Sequence, residues 1–151
     1  MNRWSGFVMA VSVIGTAGVG AADGLTTQAS AHSVPVTMDR LENAVTAAGF
    51  KVFARVDHGA GAKSVDMPLA PTELLIFGKP DAGTLLMQSA ASVGIDLPLK
   101  YLVWQDTDGK VTVGWNDPAW LVARHGISDR APVVQKMTGA LKKFADEATK
   151  P

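Results

Sequence analysis

The sequence predicts a single domain that mixes helices and strands around one central strand, and three observations carry that expectation. The chain has 151 residues, enough for one core, and 47% of them are apolar against 19% charged, the make-up of a globular protein. Leu74, Leu75, Ile76 and Phe77 form an unbroken apolar run closed by Gly78. The run is too short for a membrane span and lacks the alternation of a half-wet strand, so cover is expected on both of its faces. Lys100 to Gln105 and Val111 to Trp115 flank Asp106-Thr107-Asp108-Gly109, which predicts a β-hairpin turning at Asp108-Gly109.

Taken in order, residues 1–21 carry Arg3 and then a charge-free stretch rich in Val, Ile, Ala and Gly, with small residues Val19 and Ala21 where a signal peptidase reads. This is the pattern of a signal peptide cut after Ala21 or one residue later, and a retained membrane anchor is the alternative. Removing it takes away Arg3 alone and leaves the mature chain near one net negative charge. A periplasmic or secreted location without stable membrane insertion follows. An N-terminal segment at 22–32 supplies an edge strand near Leu25 to Ala31, and the folded domain spans 33–150. Ser33 and Pro35 open a first helix with Met38, Leu41, Val45 and Ala48 at helical spacing, ended by Gly49. From Phe50 to Val56, apolar Phe50, Val52, Ala54 and Val56 alternate with polar Lys51 and Arg55, a strand with one wet face. Ala60 to Met67 form a short helix or loop before the central strand. Beyond Gly78, Asp81 or Thr84 can cap a second helix in which Leu86, Ala90, Val93 and Leu97 recur, interrupted by Gly94 and ended by Pro98. Asp117 and Pro118 start a helix carrying Trp120, Leu121 and Arg124, and Val134, Met137, Leu141, Phe144 and Ala145 mark a last helix from Ala131 to Ala148.

The 14 basic and 14 acidic side chains balance, so no field draws in nucleic acid. No cysteine is present, which removes disulfides, thiolate nucleophiles, iron–sulfur clusters and the usual structural zinc sites. The three histidines, His32, His58 and His125, lack the spacing of a helical metal pair, and neither a metal nor another cofactor is expected; haem held by His58 or His125 with Met87 has no spacing to support it. Ser64, Ser89 and Ser92 sit in no nucleophile elbow. Trp104, Trp115 and Trp120 read as core residues, with the lining of an apolar pocket as the alternative.

Three polar clusters fall at element ends. Asp57 and His58 form a carboxylate–imidazole pair that can act as acid and base only if the chain turns at Gly59. Gly78, Lys79, Gly83 and Thr84 belong to a strand-to-helix turn whose free amides, helix dipole and lysine favour an anion. Asn116 and Asp117 precede Arg124 and His125, and a histidine at a helix C-terminus meets exposed carbonyls.

The stretches VFARVDHGAGA (Val52 to Ala62), PTELLIFGKPDAGTLLM (Pro71 to Met87), DLPLKYLVWQD (Asp96 to Asp106) and VGWNDPAWLVARHGI (Val113 to Ile127) resemble the DUF302 domain family. The resemblance runs from Ser33 to about Ile127. It implies a compact α+β domain with helices packed on a mostly antiparallel sheet, assembled as a homodimer, and it implies no reaction. The family's turn often reads Gly-Asn-Pro-Lys where this chain has Gly78-Lys79-Pro80-Asp81, which sets an acid beside the anion site. Val36 stands where a glutamate would complete a capping box with Ser33. The reading is thus an exported α+β domain that binds a small, anionic ligand or a partner protein through Asp57, His58, the Gly78 to Thr84 turn, Asn116 and Asp117. An enzyme using His58 beside the turn amides and a structural scaffold are the alternatives.

Overall fold

The computed structural model describes residues 22–151, and the segment read as a signal peptide lies outside them. Five strands, β1 (Leu25–Ser30), β2 (Lys51–Asp57), β3 (Thr72–Gly78), β4 (Leu99–Gln105) and β5 (Val111–Asn116), form one sheet in the order β1-β5-β4-β3-β2. Every neighbouring pair is antiparallel. The helices are α1 (Val34–Ala47), α2 (His58–Lys63), α3 (Pro80–Ser89), α4 (Pro118–Arg124) and α5 (Ala131–Thr149), with a 3-10 helix at Ala91–Ile95. Helices α1 and α5 pack together over one face of the sheet, and α4 packs on α5. The arrangement is the α+β one, with β4 and β5 forming the hairpin; Gly109 takes φ +80° in its turn, and Asp106 Oδ1 accepts from the amides of Asp108 and Lys110.

Helix α1 starts after Ser33, whose hydroxyl makes no capping bond; Thr37 Oγ1 donates instead to the Ser33 carbonyl. The α1 residues Met38, Leu41 and Val45 and the α5 residues Leu141, Phe144 and Ala145 meet the sheet residues Leu75, Phe77, Tyr101, Val103 and Val113 in one core. A row of rings crosses it: Phe144 meets Phe50 edge-on at 5.4 Å, Phe50 meets Phe77 at 5.9 Å, and Phe77 stacks on Tyr101 at 5.1 Å. Tyr101 Oη donates to the Leu141 carbonyl at 2.5 Å, fixing α5 to the sheet, and burial pushes the phenol well above its ordinary pKa.

Three sequence expectations are corrected here. The apolar run Leu74–Phe77 is covered on one face only: Leu75 and Phe77 are fully buried, whereas Leu74 and Ile76 lie half-buried on the face away from α1 and α5. Strand β2 does not keep the alternation read from it. Val52 pairs with Phe77 and Ala54 with Ile76, so Phe53 is the extra residue of a bulge and the faces exchange beyond it. Arg55, read as solvent-facing, stays exposed but lies opposite Leu75 on the helix side, where Nε meets Glu73 at 2.7 Å and Nη1 meets Asp39 of α1 at 2.6 Å. Phe53 and Val56 become exposed. The helix after Gly78 is two pieces, because Ala90 takes an extended conformation (φ −150°, ψ 109°) between α3 and the 3-10 helix.

Candidate functional site

The end of β3 and the first turn of α3 form one wall of a cavity of about 760 Å³ whose opposite wall is α5. Gly78 ends the strand as expected, but the helix begins earlier than the sequence reading has it: Lys79 occupies the cap position of α3 in an extended conformation, and Pro80 takes the first helical place, where a missing N–H costs nothing. Asp81 Oδ1 accepts from the Ala82 amide at 2.8 Å from inside the first turn, so neither Asp81 nor Thr84 is the cap expected from the sequence, and the cap residue Lys79 makes no side-chain capping bond. The rings of Phe50, Phe77 and Phe144 with Met137, Leu97 and Leu141 make the cavity apolar. Three lysines stand among its lining residues: Lys79, whose Nζ lies 5.8 Å from the Phe50 ring centroid, and Lys136 and Lys143 of α5. Asp81 is the one carboxylate among them, and Lys143 also approaches Glu147 at 3.7 Å. Phe53, Leu85 and Met87, each at least 37% exposed, sit at this same cavity.

Of the residues singled out in the sequence, Gly78, Lys79, Gly83 and Thr84 all line this cavity. Asn116 and Asp117 lie at the same end of the sheet but two strands away, on β5 and at the start of α4, where Asp117 Oδ1 caps the helix through the Ala119 amide at 2.9 Å. Asp57 and His58 are at the other end: Asp57 pairs with Glu73, five residues before Gly78, which is a separation of roughly 17 Å along the strand. The Asp57 carboxylate caps α2 by accepting from the Ala60 amide at 2.8 Å and borders a shallower groove with Lys63 and Glu73, while His58 is exposed as the first residue of α2. His58 therefore cannot share a substrate atom with the turn amides. His125 caps α4, and its ring meets Asp96 and Ser92 instead of backbone carbonyls. Burial pulls Lys100 below the ordinary lysine pKa against the opposing pull of Asp96, and its Nζ donates to the carbonyls of Asp96 and Pro98.

Sequence reasoning missed the α5 wall. Lys136 and Lys143 are seven residues apart and border the stripe of Met137, Leu141 and Phe144, a spacing that sets two lysines on one helix face. That signal was present but indistinguishable from an ordinary wet border until α3 was placed opposite.

Residues 26–144 match the family model described as "Domain of unknown function DUF302". The chain belongs to the DUF302 family. A crystal structure of an uncharacterized conserved DUF302 protein from Bacillus stearothermophilus matches with a TM-score of 0.75 at 20% identity, covering 85% of this chain and 100% of that one, which establishes the shared fold. This DUF302 chain is also 47% identical over 126 residues to proteins named "Fluoride-specific ion channel FluC 1" from Brucella suis biovar 1 and "Fluoride-specific ion channel FluC 2" from Brucella melitensis biotype 1. The match covers 81% of this chain, and 50% and 47% of those relatives, so the chain spans about half the length of the curated relatives it matches. No helix among the described residues is long and apolar enough to cross a membrane.

Proposed function

We propose that this DUF302 domain binds a small amphiphile, its apolar body in the cavity between α3 and α5 and its anionic head among the lysines at the rim. The observation that carries the reading is one cavity of about 760 Å³ with aromatic and aliphatic walls and Lys79, Lys136 and Lys143 set against a single carboxylate, Asp81. Ligand cavities are of this size, and their few polar groups set the orientation of the occupant. An apolar body recovers the burial term and the head meets the lysines, whereas a small inorganic anion would leave the aromatic walls unused. The domain acts outside the cytoplasm in this reading, with a mature chain that starts at Ala22 or Asp23, as an intact-mass measurement would register. The binding test is thermal unfolding with dodecanoate, dodecanol and acetate. Dodecanoate at a hundred times its dissociation constant should stabilise by about 2.7 kcal/mol, dodecanol less and acetate not at all. Unmoved melting with every amphiphile would remove the reading in favour of a scaffold.

The Brucella relatives support a second reading, in which the domain works beside a fluoride-specific channel and tunes it. Fluoride efflux from vesicles holding such a channel, measured with and without this domain, tests it, and identical efflux at saturating domain would count against it.

A further inference from the structure

The 3-10 helix and the end of α4 meet in a second cluster. Asp96 Oδ2 lies 2.6 Å from His125 Nε2, and His125 Nδ1 lies 2.9 Å from Ser92 Oγ. Arg124 Nη1 reaches the same Asp96 carboxylate at 2.9 and 3.1 Å. The ring is shielded, with its side chain 8% exposed and that of Asp96 12%, while Ser92 is exposed to solvent. An ionised carboxylate only accepts, so the nitrogen facing it, Nε2, carries the proton. In the neutral ring Nδ1 then presents its lone pair to the Ser92 hydroxyl. A shielded base, an acid that fixes its tautomer and an accessible hydroxyl are the parts of an activated serine, recognised by geometry and role rather than by sequence position.

We propose that Ser92 is an acyl-accepting nucleophile with His125 as its general base and Asp96 as the residue that orients the ring. The substrate class is a carboxylic ester. Ser92 Oγ bonds to the acyl carbon as its proton passes to His125 Nδ1; the ester C–O bond breaks and the leaving alcohol takes that proton. Water then yields a proton to Nδ1 and attacks the acyl carbon, the Ser92 oxygen recovers the proton, and the acid departs. Apolar ground adjoins the cluster in the cavity between α3 and α5: Gly94, two residues after Ser92, lines that cavity, and the Met87 sulfur lies 3.3 Å from where a Gly94 Cβ would stand. The acyl part is accordingly apolar, and in this respect alone the inference rests on the ligand reading above. Ser89 supplies an internal contrast, since its hydroxyl accepts from Arg130 Nε at 2.7 Å, donates to the Asp129 carboxylate at 3.0 Å and faces no imidazole.

The test treats the full chain with an alkyl fluorophosphonate and maps the adduct by peptide mass spectrometry. Attack forms an Oγ–P bond and expels fluoride. The expected result is an adduct on Ser92 and none on Ser89, loss of labelling in Ser92→Ala, and labelling slowed about 100-fold or more in His125→Gln. Because His125 is shielded and its variant can unfold, the Ser92 to Ser89 ratio in the unaltered protein is decisive by itself. No adduct, equal labelling of both serines, or an unchanged rate in a folded His125→Gln protein would overturn the proposal. The acyl class is read from p-nitrophenyl esters: octanoate should acylate Ser92 at least tenfold faster than acetate. Labelled Ser92 with no chain-length preference would overturn the link to the cavity, while the dodecanoate melting shift reports on the cavity independently.

Discussion

Replacing Gly83 separates the packing of the site from its use. Gly83 lies within α3 and its φ is outside the left-handed region, so nothing in its backbone conformation requires glycine. A Cβ built there meets Leu97 Cδ1 at 3.7 Å and the Met87 methyl at 4.0 Å, both ordinary contacts. Without a clash the helix-propensity and unfolded-chain terms decide the sign, and Gly83→Ala should stabilise by about 0.5–1 kcal/mol. For a domain of this size that raises the melting temperature by about 2–4 °C. Leucine keeps most of the propensity gain, but its larger side chain extends toward Leu97 and Met87, which line the cavity. Gly83→Leu should thus melt higher than the parent protein and bind dodecanoate at least tenfold more weakly. Calorimetric unfolding and a ligand titration on the same samples supply both numbers. A lowered melting temperature in Gly83→Ala would refute the reasoning, because it would mean that close approach rather than free cavity volume keeps glycine at this position.

Other expectations concern the frame around the site. Arg55→Ala strands the largely buried Glu73 carboxylate, so urea unfolding should show a loss of about 1–3 kcal/mol, reduced from the fully buried case because the Arg55 side chain is 30% exposed, and an Asp39→Ala change should cost less. Hydrogen bonds from Lys142 and Gln28 hold the Asp146 carboxyl below the ordinary aspartate pKa. A depressed folded value means the contribution is present above about pH 4 and fades as pH falls through the folded pKa, and in Gln28→Ala an NMR titration should find Asp146 moved upward. The half-buried residues Leu74, Ile76, Leu102 and Trp104 on the sheet face away from α1 and α5 fit a homodimer interface. Sedimentation should then give twice the chain mass, and Leu102→Lys should return it to one; a monomer at high micromolar concentration speaks against the dimer.

Much of the frame was legible because its signals are local. Asp108-Gly109 marked the hairpin, Asp117-Pro118 the start of α4, and the spacing of Met137, Leu141 and Phe144 the buried stripe of α5. The failures came from features that local pattern does not encode. A single inserted residue, Phe53, reverses every later side chain of β2, so the same alternation that identified the strand assigned Arg55 to the wrong side. The apolar run of β3 reads as covered on both faces, yet the described helices pack on one, and the face carrying Leu74 and Ile76 stays half-exposed. Part of the candidate site was legible in the turn from Gly78 to Thr84. Its other half comes from α5, more than fifty residues later, and long-range packing, Phe50 against Phe144 and Tyr101 Oη on the Leu141 carbonyl, brings the lysines of that helix to the same opening. Ser92, Asp96 and His125 escaped for a related reason: the serine and histidine are 33 positions apart, no elbow motif joins them, and the contact exists only because the 3-10 helix folds back on the end of α4.

The central claim is that the cavity between α3 and α5 receives the apolar body of an anionic amphiphile. Its most direct measurement is an isotope-filtered NMR experiment on the domain with carbon-13-labelled dodecanoate, reading which protein protons lie within nuclear Overhauser range of the chain. The account predicts contacts from the alkyl methyl and methylenes to the rings of Phe50, Phe77 and Phe144 and to Met137, with the carboxylate end near Lys79 or Lys136. Contacts confined to Leu74, Ile76, Leu102 and Trp104 on the far face of the sheet, or no contacts at millimolar ligand, would contradict it.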